Sequence, residues 1–258
     1  MDQDFLKDSL PKSNMVINLK TEMENFMQKD HFTLKSGSNN LDLLLRGGFN
    51  SGKAYIIYGA NSTGKTQLCH QLCLEAFKFG IKTVYFDTEN TFRPERIKEL
   101  CLNRGLNHVD VLKAILVASI KSNDVLNYKI RELSNILNES EIKLLIIDTI
   151  NNYYRLEQAI SFEKSKKLFL NILNQLNLLT KTYDLISIFT SQVSSNFNID
   201  SIIKHNPVGV QFLNHYFTEF IYLSKINENH FMHLVNSSYL HESKLPYSIS
   251  SKGVIDTT

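Results

Sequence analysis

The sequence predicts an α/β domain: a mostly parallel twisted sheet with helices on both faces, built around a phosphate-binding loop and continued by an antiparallel extension at its C-terminal end. Three observations carry this. Four short, nearly continuous apolar runs alternate with helical patterns. The first run is followed at once by G-A-N-S-T-G-K-T, Gly59 to Thr66, opening into a helical pattern. Toward the C-terminus the pattern changes to close-spaced strand segments joined by polar turns.

In chain order, A-Y-I-I-Y (54–58), T-V-Y-F-D (83–87), L-L-I-I-D (144–148) and L-I-S-I-F-T (185–190) read as strands buried on both faces. After the first, Lys65 to Phe79 places Leu68, Leu72 and Ala76 on one stripe with Cys69, Cys73 and Phe77 beside it, the spacing of a packed helix. Pro94 to Arg104 reads as a second helix, opened by its proline and closed by Gly105. Asn123 to Leu137 and Phe162 to Thr180 carry apolar residues three and four apart, among them Leu168, Ile172, Leu176 and Leu179, and cover the sheet. T-E-F-I-Y-L (218–223), H-F-M-H-L-V (230–235) and P-Y-S-I (246–249) read as the antiparallel extension. Residues 1–30 are charged and weakly periodic. They read as an N-terminal arm or short helix beside a core domain of residues 31–258.

Composition narrows the classes. In 258 residues, 43% are hydrophobic, which excludes disorder and collagen-like chains. No run of about 18 uncharged apolar residues exists, and the first twenty residues mix Asp, Lys and Pro. The expectation is an intracellular protein with no membrane partner, cytoplasmic in a prokaryote and nuclear in a eukaryote. Cys69, Cys73 and Cys101 lack a paired C-x-x-C spacing and read as packed thiols. The net charge of +2 supplies no global field toward nucleic acid, so any DNA contact must come from local loops.

The chemistry begins at Gly59–Ala60–Asn61–Ser62–Thr63–Gly64–Lys65–Thr66, with Gln67 following. Its glycines let the backbone fold into a nest of N–H donors, Lys65 reaches the β and γ phosphates, and the Thr66 hydroxyl holds Mg²⁺. Asp148 ends an apolar strand at the same sheet edge and is suited to hold Mg²⁺ beside Thr66. Glu89, just past the strand 83–87, is placed to orient or deprotonate an attacking water; the other reading is that it caps the following helix.

These residues bring a family into view. Residues 35–258 resemble the ATPase core of the RecA/RadA recombinases, especially the archaeal and eukaryotic branch. The matching pieces are S-G-S-N-N-L-D-L-L-L-R-G-G (36–48), T-G-K-T-Q-L-C-H-Q-L, F-D-T-E-N-T-F-R-P-E-R, the I-D-T-I-N-N-Y-Y-R block ending at Arg155, and T-S-Q-V (190–193). The resemblance implies a RecA-like fold, ATP and Mg²⁺ as cofactors, and roles by position. Glu89 matches the catalytic glutamate, with Lys65 and Gln192 completing the catalytic set. Arg96 matches an adenine-stacking arginine, and Gln192 the residue linking the γ-phosphate to the second DNA loop. His215 matches a nucleotide-sensing histidine. The DNA loops fall at about Glu157–Lys167 and Ser194–Val208. Arg155, Lys164, Lys166, Lys167, Phe197, Lys204 and His205 offer them cations and an aromatic for single-stranded DNA. The lysine cluster also reads as the solvated start of a helix.

Two departures from the family pattern mark a shortened paralogue, similar to archaeal RadB or the eukaryotic recombinase paralogues. In the register set by Phe26, a Phe-x-x-Ala polymerisation segment would begin near Lys20, where none stands. The cap that reaches a neighbour's ATP normally presents Asp and Pro, and here reads N-S-S-Y-L (236–240). The resemblance therefore implies a recombination or repair ATPase that binds DNA or modulates a recombinase filament. The alternatives are an adaptor stabilised by ATP without turnover, or a short strand-exchange recombinase.

Overall fold

The computed structural model describes residues 32–137, 141–196 and 203–257. The chain divides into two compact units, Met1–Phe32 and Thr33–Thr258. The arm expected over 1–30 lies outside the described residues.

The second unit opens with a two-stranded ribbon, β1 (Thr33–Leu34) against β2 (Phe49–Asn50), bracketing helix α1 (Asn39–Leu44). The four apolar runs then form β3 (Lys53–Gly59), β4 (Lys82–Asp87), β6 (Ile142–Asp148) and β7 (Ile186–Ser191), with β5 (Ile115–Ser119) outside β4. Buried side chains alternate onto both faces, so nearly every residue of β3, β6 and β7 is covered, as an apolar strand between two helical layers requires.

The helices are α2 (Lys65–Lys78), α3 (Pro94–Leu102), α4 (His108–Lys113), α5 (Asn123–Leu137), α6 (Asn152–Glu157), α7 (Phe162–Thr182) and α8 (Val210–Tyr216). Leu126, Ile130 and Leu133 of α5 join Phe169, Ile172 and Leu176 of α7 in one core with Ile56, Leu145 and Phe189 of the strands. No helix among the described residues is long and apolar enough to cross a membrane. Cys69, Cys73 and Cys101 are free and buried, as expected.

The C-terminal strands are β10 (Glu219–Ile226), β11 (Asn229–Asn236), β12 (Ser243–Ser250) and β13 (Gly253–Asp256), after a short ribbon of β8 (Val193–Ser195) and β9 (His205–Pro207). The nine-stranded sheet runs β13-β12-β11-β10-β3-β7-β6-β4-β5. The antiparallel extension is present, with one correction: β10 itself is parallel to β3, pairing Glu219 with Tyr55. The crossover through α8 brings the chain back in the parallel sense, and only from β11 onward do hairpins reverse it. This topology sets the C-terminal ends of β3, β4, β6 and β7 side by side, where ligands bind in open α/β sheets.

Candidate active site

Gly59 to Thr66 joins β3 to α2. Gly64 sits at the N-cap of α2 with φ 89°, a left-handed backbone that favours glycine, and no side chain caps this helix end. The first-turn amides are thus open donors at the positive end of a 14-residue helix, a ready anion site. A Cβ on Gly59 would run into the carbonyl of Leu223, so only glycine lets the loop leave β3 this close to β10. Lys65 Nζ folds over the loop and donates to the carbonyls of Gly59 (2.8 Å) and Ala60 (3.0 Å). Burial lowers its pKa, and the nearby charges of Asp148 and Glu89 oppose that shift.

Asp148 is 2% exposed and collects four hydroxyl donors. Thr66 Oγ1 (2.7 Å) and Tyr85 OH (2.9 Å) reach Oδ2, with Thr91 Oγ1 farther out at 3.4 Å, and Thr190 Oγ1 reaches Oδ1. The direct Thr66–Asp148 contact brings together the two residues assigned to Mg²⁺. Sequence reasoning missed Tyr85, Thr91 and Thr190, because their convergence on Asp148 follows from strand register rather than spacing. Asp87 was also missed as a positioning group: its carboxylate accepts from the amides of Glu89 (3.2 Å), Thr91 (3.1 Å) and Phe92 (2.9 Å), curling the chain after β4. The signal was an Asp directly before a turn, the residue type whose side chain bonds amides a few residues on.

That turn presents Glu89. Its Oε1 accepts from Thr149 Oγ1 at 2.9 Å and from Gln192 Nε2 at 2.6 Å. Gln192 is fixed through its own amide, which donates to Asn151 Oδ1 at 2.9 Å, while its side-chain oxygen accepts from Arg155 at 3.0 Å. A continuous chain therefore runs from Glu89 through Gln192 to Arg155, linking the ends of β4, β7 and helix α6. Beside it lies a polar cleft of about 730 Å³ lined by Glu89, Asn90, Lys121, Asn152, Tyr153 and Gln192. The helix-capping alternative for Glu89 does not describe its contacts: α3 starts after Arg93, without a side-chain cap.

Arg96 is held in the plane of its guanidinium by Gln67 Oε1 (2.5 Å), the Ser250 carbonyl (2.6 Å) and the Glu99 carboxylate. Gln67 thus meets Arg96 at the end of the phosphate loop. His215 is exposed on α8 with its ring edge-on to Tyr216. Among the described residues, no hydrogen bond or ring contact joins it to the loop.

In the segment expected to be the first DNA loop, Lys164, Lys166 and Lys167 lie on the opening turns of α7, which leaves only the few residues between α6 and α7 as loop. Lys164 and Lys167 are exposed, and Lys166 Nζ stands 5.9 Å from the Phe162 ring. In the second, Lys204 is exposed and His205 Nδ1 lies 2.9 Å from Tyr222 OH. Phe197 lies outside the described residues.

Residues 27–257 match the family model described as Rad51. The chain is 29% identical over 235 residues to the DNA repair protein RAD51 homolog B of Zea mays and to the DNA repair protein RAD51 homolog 1 of Arabidopsis thaliana. Each alignment covers 86% of this chain and 69% of the relative. The DNA repair protein RAD51 homolog of Solanum lycopersicum is 30% identical over the same shares. With a match across nearly the whole chain and the phosphate loop, Glu89, Asp148 and Gln192 converging on one sheet edge, the chain belongs to the Rad51 family.

Proposed function

We propose that the protein is a DNA-stimulated ATPase of recombination and repair. It binds ATP with Mg²⁺ at Gly59–Thr66, contacts single-stranded DNA through the segments after α6 and β7, and works on a recombinase filament or beside a paralogue partner inside the cell. The observation that carries this reading is the hydrogen-bonded chain Glu89–Gln192–Arg155, which connects the residue suited to activate water with the two segments suited to DNA.

The residues present fit the cofactors. An uncapped helix start and a half-buried ammonium whose hydrogen bonds go to neutral carbonyls suit a polyphosphate, whose charge-assisted bonds exceed those to carbonyls. The Thr66 hydroxyl and Asp148 carboxylate form the hard oxygen donor set that Mg²⁺ takes beside phosphate oxygens. When bound, Mg²⁺ neutralises charge developing on the phosphate oxygens. In this reading Lys65 holds the terminal phosphates and the first-turn amides of α2 orient them. Glu89 receives the proton of the attacking water at its carboxylate. Arg96, its edges engaged by Gln67, Glu99 and Ser250, keeps its faces for the adenine ring. His215 and Gln192 report nucleotide state toward the second DNA segment.

The testing experiment is ATP hydrolysis by purified protein with and without single-stranded DNA, using Lys65→Ala as the blank. Stimulation by DNA is the expected result. Tight ATP binding with no turnover in either condition would replace the ATPase reading with that of a nucleotide-stabilised adaptor.

A further inference from the structure

The hairpin of β12 and β13 lies against the nucleotide site. Tyr247, 1% exposed, donates its hydroxyl to the carbonyl of Thr63 in the phosphate loop at 2.6 Å. Two residues on, and so on the same strand face, Ile249 packs on Gly64 so closely that a Cβ there would stand 2.8 Å from Ile249 Cδ1. Ser250 offers its carbonyl to Arg96. On β13, Val254 exchanges backbone hydrogen bonds with the Gln71 amide of α2 at 2.9 and 3.1 Å, anchoring the hairpin on the helix that the loop opens.

The acceptor matters because of its peptide plane. The Thr63 carbonyl and the Gly64 N–H belong to one planar trans unit and point in opposite directions. A hydroxyl that fixes the carbonyl toward β12 therefore fixes the Gly64 amide on the side away from β12. Burial raises the pKa of the Tyr247 phenol, so it stays a donor at every physiological pH.

We propose that Tyr247 is a positioning residue for the nucleotide phosphates: its hydroxyl orients the Thr63–Gly64 peptide so that the Gly64 amide is pre-aimed as a donor in the phosphate nest. The inference rests on reading Gly59–Thr66 as the ATP site, and it adds the C-terminal hairpin to that site.

The test is Tyr247→Phe, which keeps the ring and removes one hydroxyl, compared with Tyr55→Phe. Tyr55 is also fully buried and its hydroxyl accepts from the Asn50 amide at 2.9 Å, at the far end of β3 from the loop. Each variant and the wild type are titrated with methylanthraniloyl-ATP in Mg²⁺, melted, and assayed for KM and kcat. The expected result is a Kd and KM raised roughly two- to tenfold in Y247F, the range for one lost hydrogen bond, with kcat kept. Y55F loses melting temperature and keeps the wild-type Kd. An unchanged Kd in folded Y247F overturns the proposal and leaves the ATP site standing, and so does an equal Kd loss in both variants. A wild-type chain that binds no ATP overturns the reading of the site and this proposal with it.

Discussion

At the phosphate half of the sheet edge, Asp148 is buried under four hydroxyls, Lys65 is folded onto two carbonyls, and Gly64 is pinned between α2 and Ile249. A few residues away, the half facing the proposed DNA carries Arg155, Lys164, Lys167 and Lys204 exposed, with Ile160 88% exposed between α6 and α7. The contrast follows from what each half is suited to hold. A small, rigid polyphosphate rewards donors fixed in advance, since every bond made without reorganisation adds to affinity. A flexible polymer is met by cations on mobile stems, each worth little alone and screened by salt.

The comparison breaks first at Lys65. Lys65→Ala removes the half-buried ammonium proposed to hold the terminal phosphates, so turnover should fall by at least about 100-fold, to the background of the assay. Hydrolysis near the wild-type rate in a folded variant would place the phosphate site elsewhere. Glu89→Gln keeps the size and the hydrogen bonds of the side chain but removes the proton acceptor. ATP binding should stay within about twofold while single-turnover hydrolysis slows by roughly 10²- to 10⁴-fold. A wild-type rate would reduce Glu89 to a partner of Gln192 and Thr149.

The DNA half should respond in smaller steps. Arg155→Ala cuts the chain to Gln192 and removes a cation proposed to meet DNA, so the ratio of DNA-stimulated to basal turnover should fall several-fold. Lys164→Ala removes a single exposed cation; it should weaken single-stranded DNA binding two- to threefold, about 0.5 kcal/mol, and lower the salt slope by about 0.7. Fluorescence anisotropy at several salt concentrations separates these outcomes. Equal losses from both substitutions would mean that Arg155 acts as one more surface cation and couples nothing.

How much of this was legible in the sequence tracks the distance over which each feature is encoded. The strands around Tyr55, Tyr85, Ile146 and Ile188 were readable because burial on both faces writes itself into consecutive residues. The strand Ile115–Ser119 was not read, since Ala114 alone separates it from helix α4 and no Gly or Pro marks the change. The phosphate loop, Glu89 and Asp148 are local patterns and stood out. Thr190 on Asp148, Asp256 capping α1 through Ser38, and Tyr247 on Thr63 join residues 42, 218 and 184 positions apart, and nothing in the local sequence announces them. The lysines at 164, 166 and 167 read as both loop and helix start, and the helix prevails although their charges oppose its dipole.

The mildest expected effect is on stability against pH, and it separates the sheet interior from the exposed loops. Burial lowers the pKa of His70, on α2 beside Tyr85, to about 4, and that of His233, paired with Ser224 at 3.0 Å, to about 4 as well. In the unfolded chain both would take up a proton near pH 6.5. Between about 6.5 and 4 the unfolded state therefore binds more protons than the native one, and stability falls as pH falls through that window. Melting temperature should be flat from pH 8 to 7 and decline progressively from pH 6.5 to 4.5. His233→Gln, which keeps a polar side chain without the titration, should flatten part of the decline. A variant with an unchanged slope would assign the acid sensitivity to the other histidines whose pKa burial lowers, His70 at the phosphate half and His230 on β11.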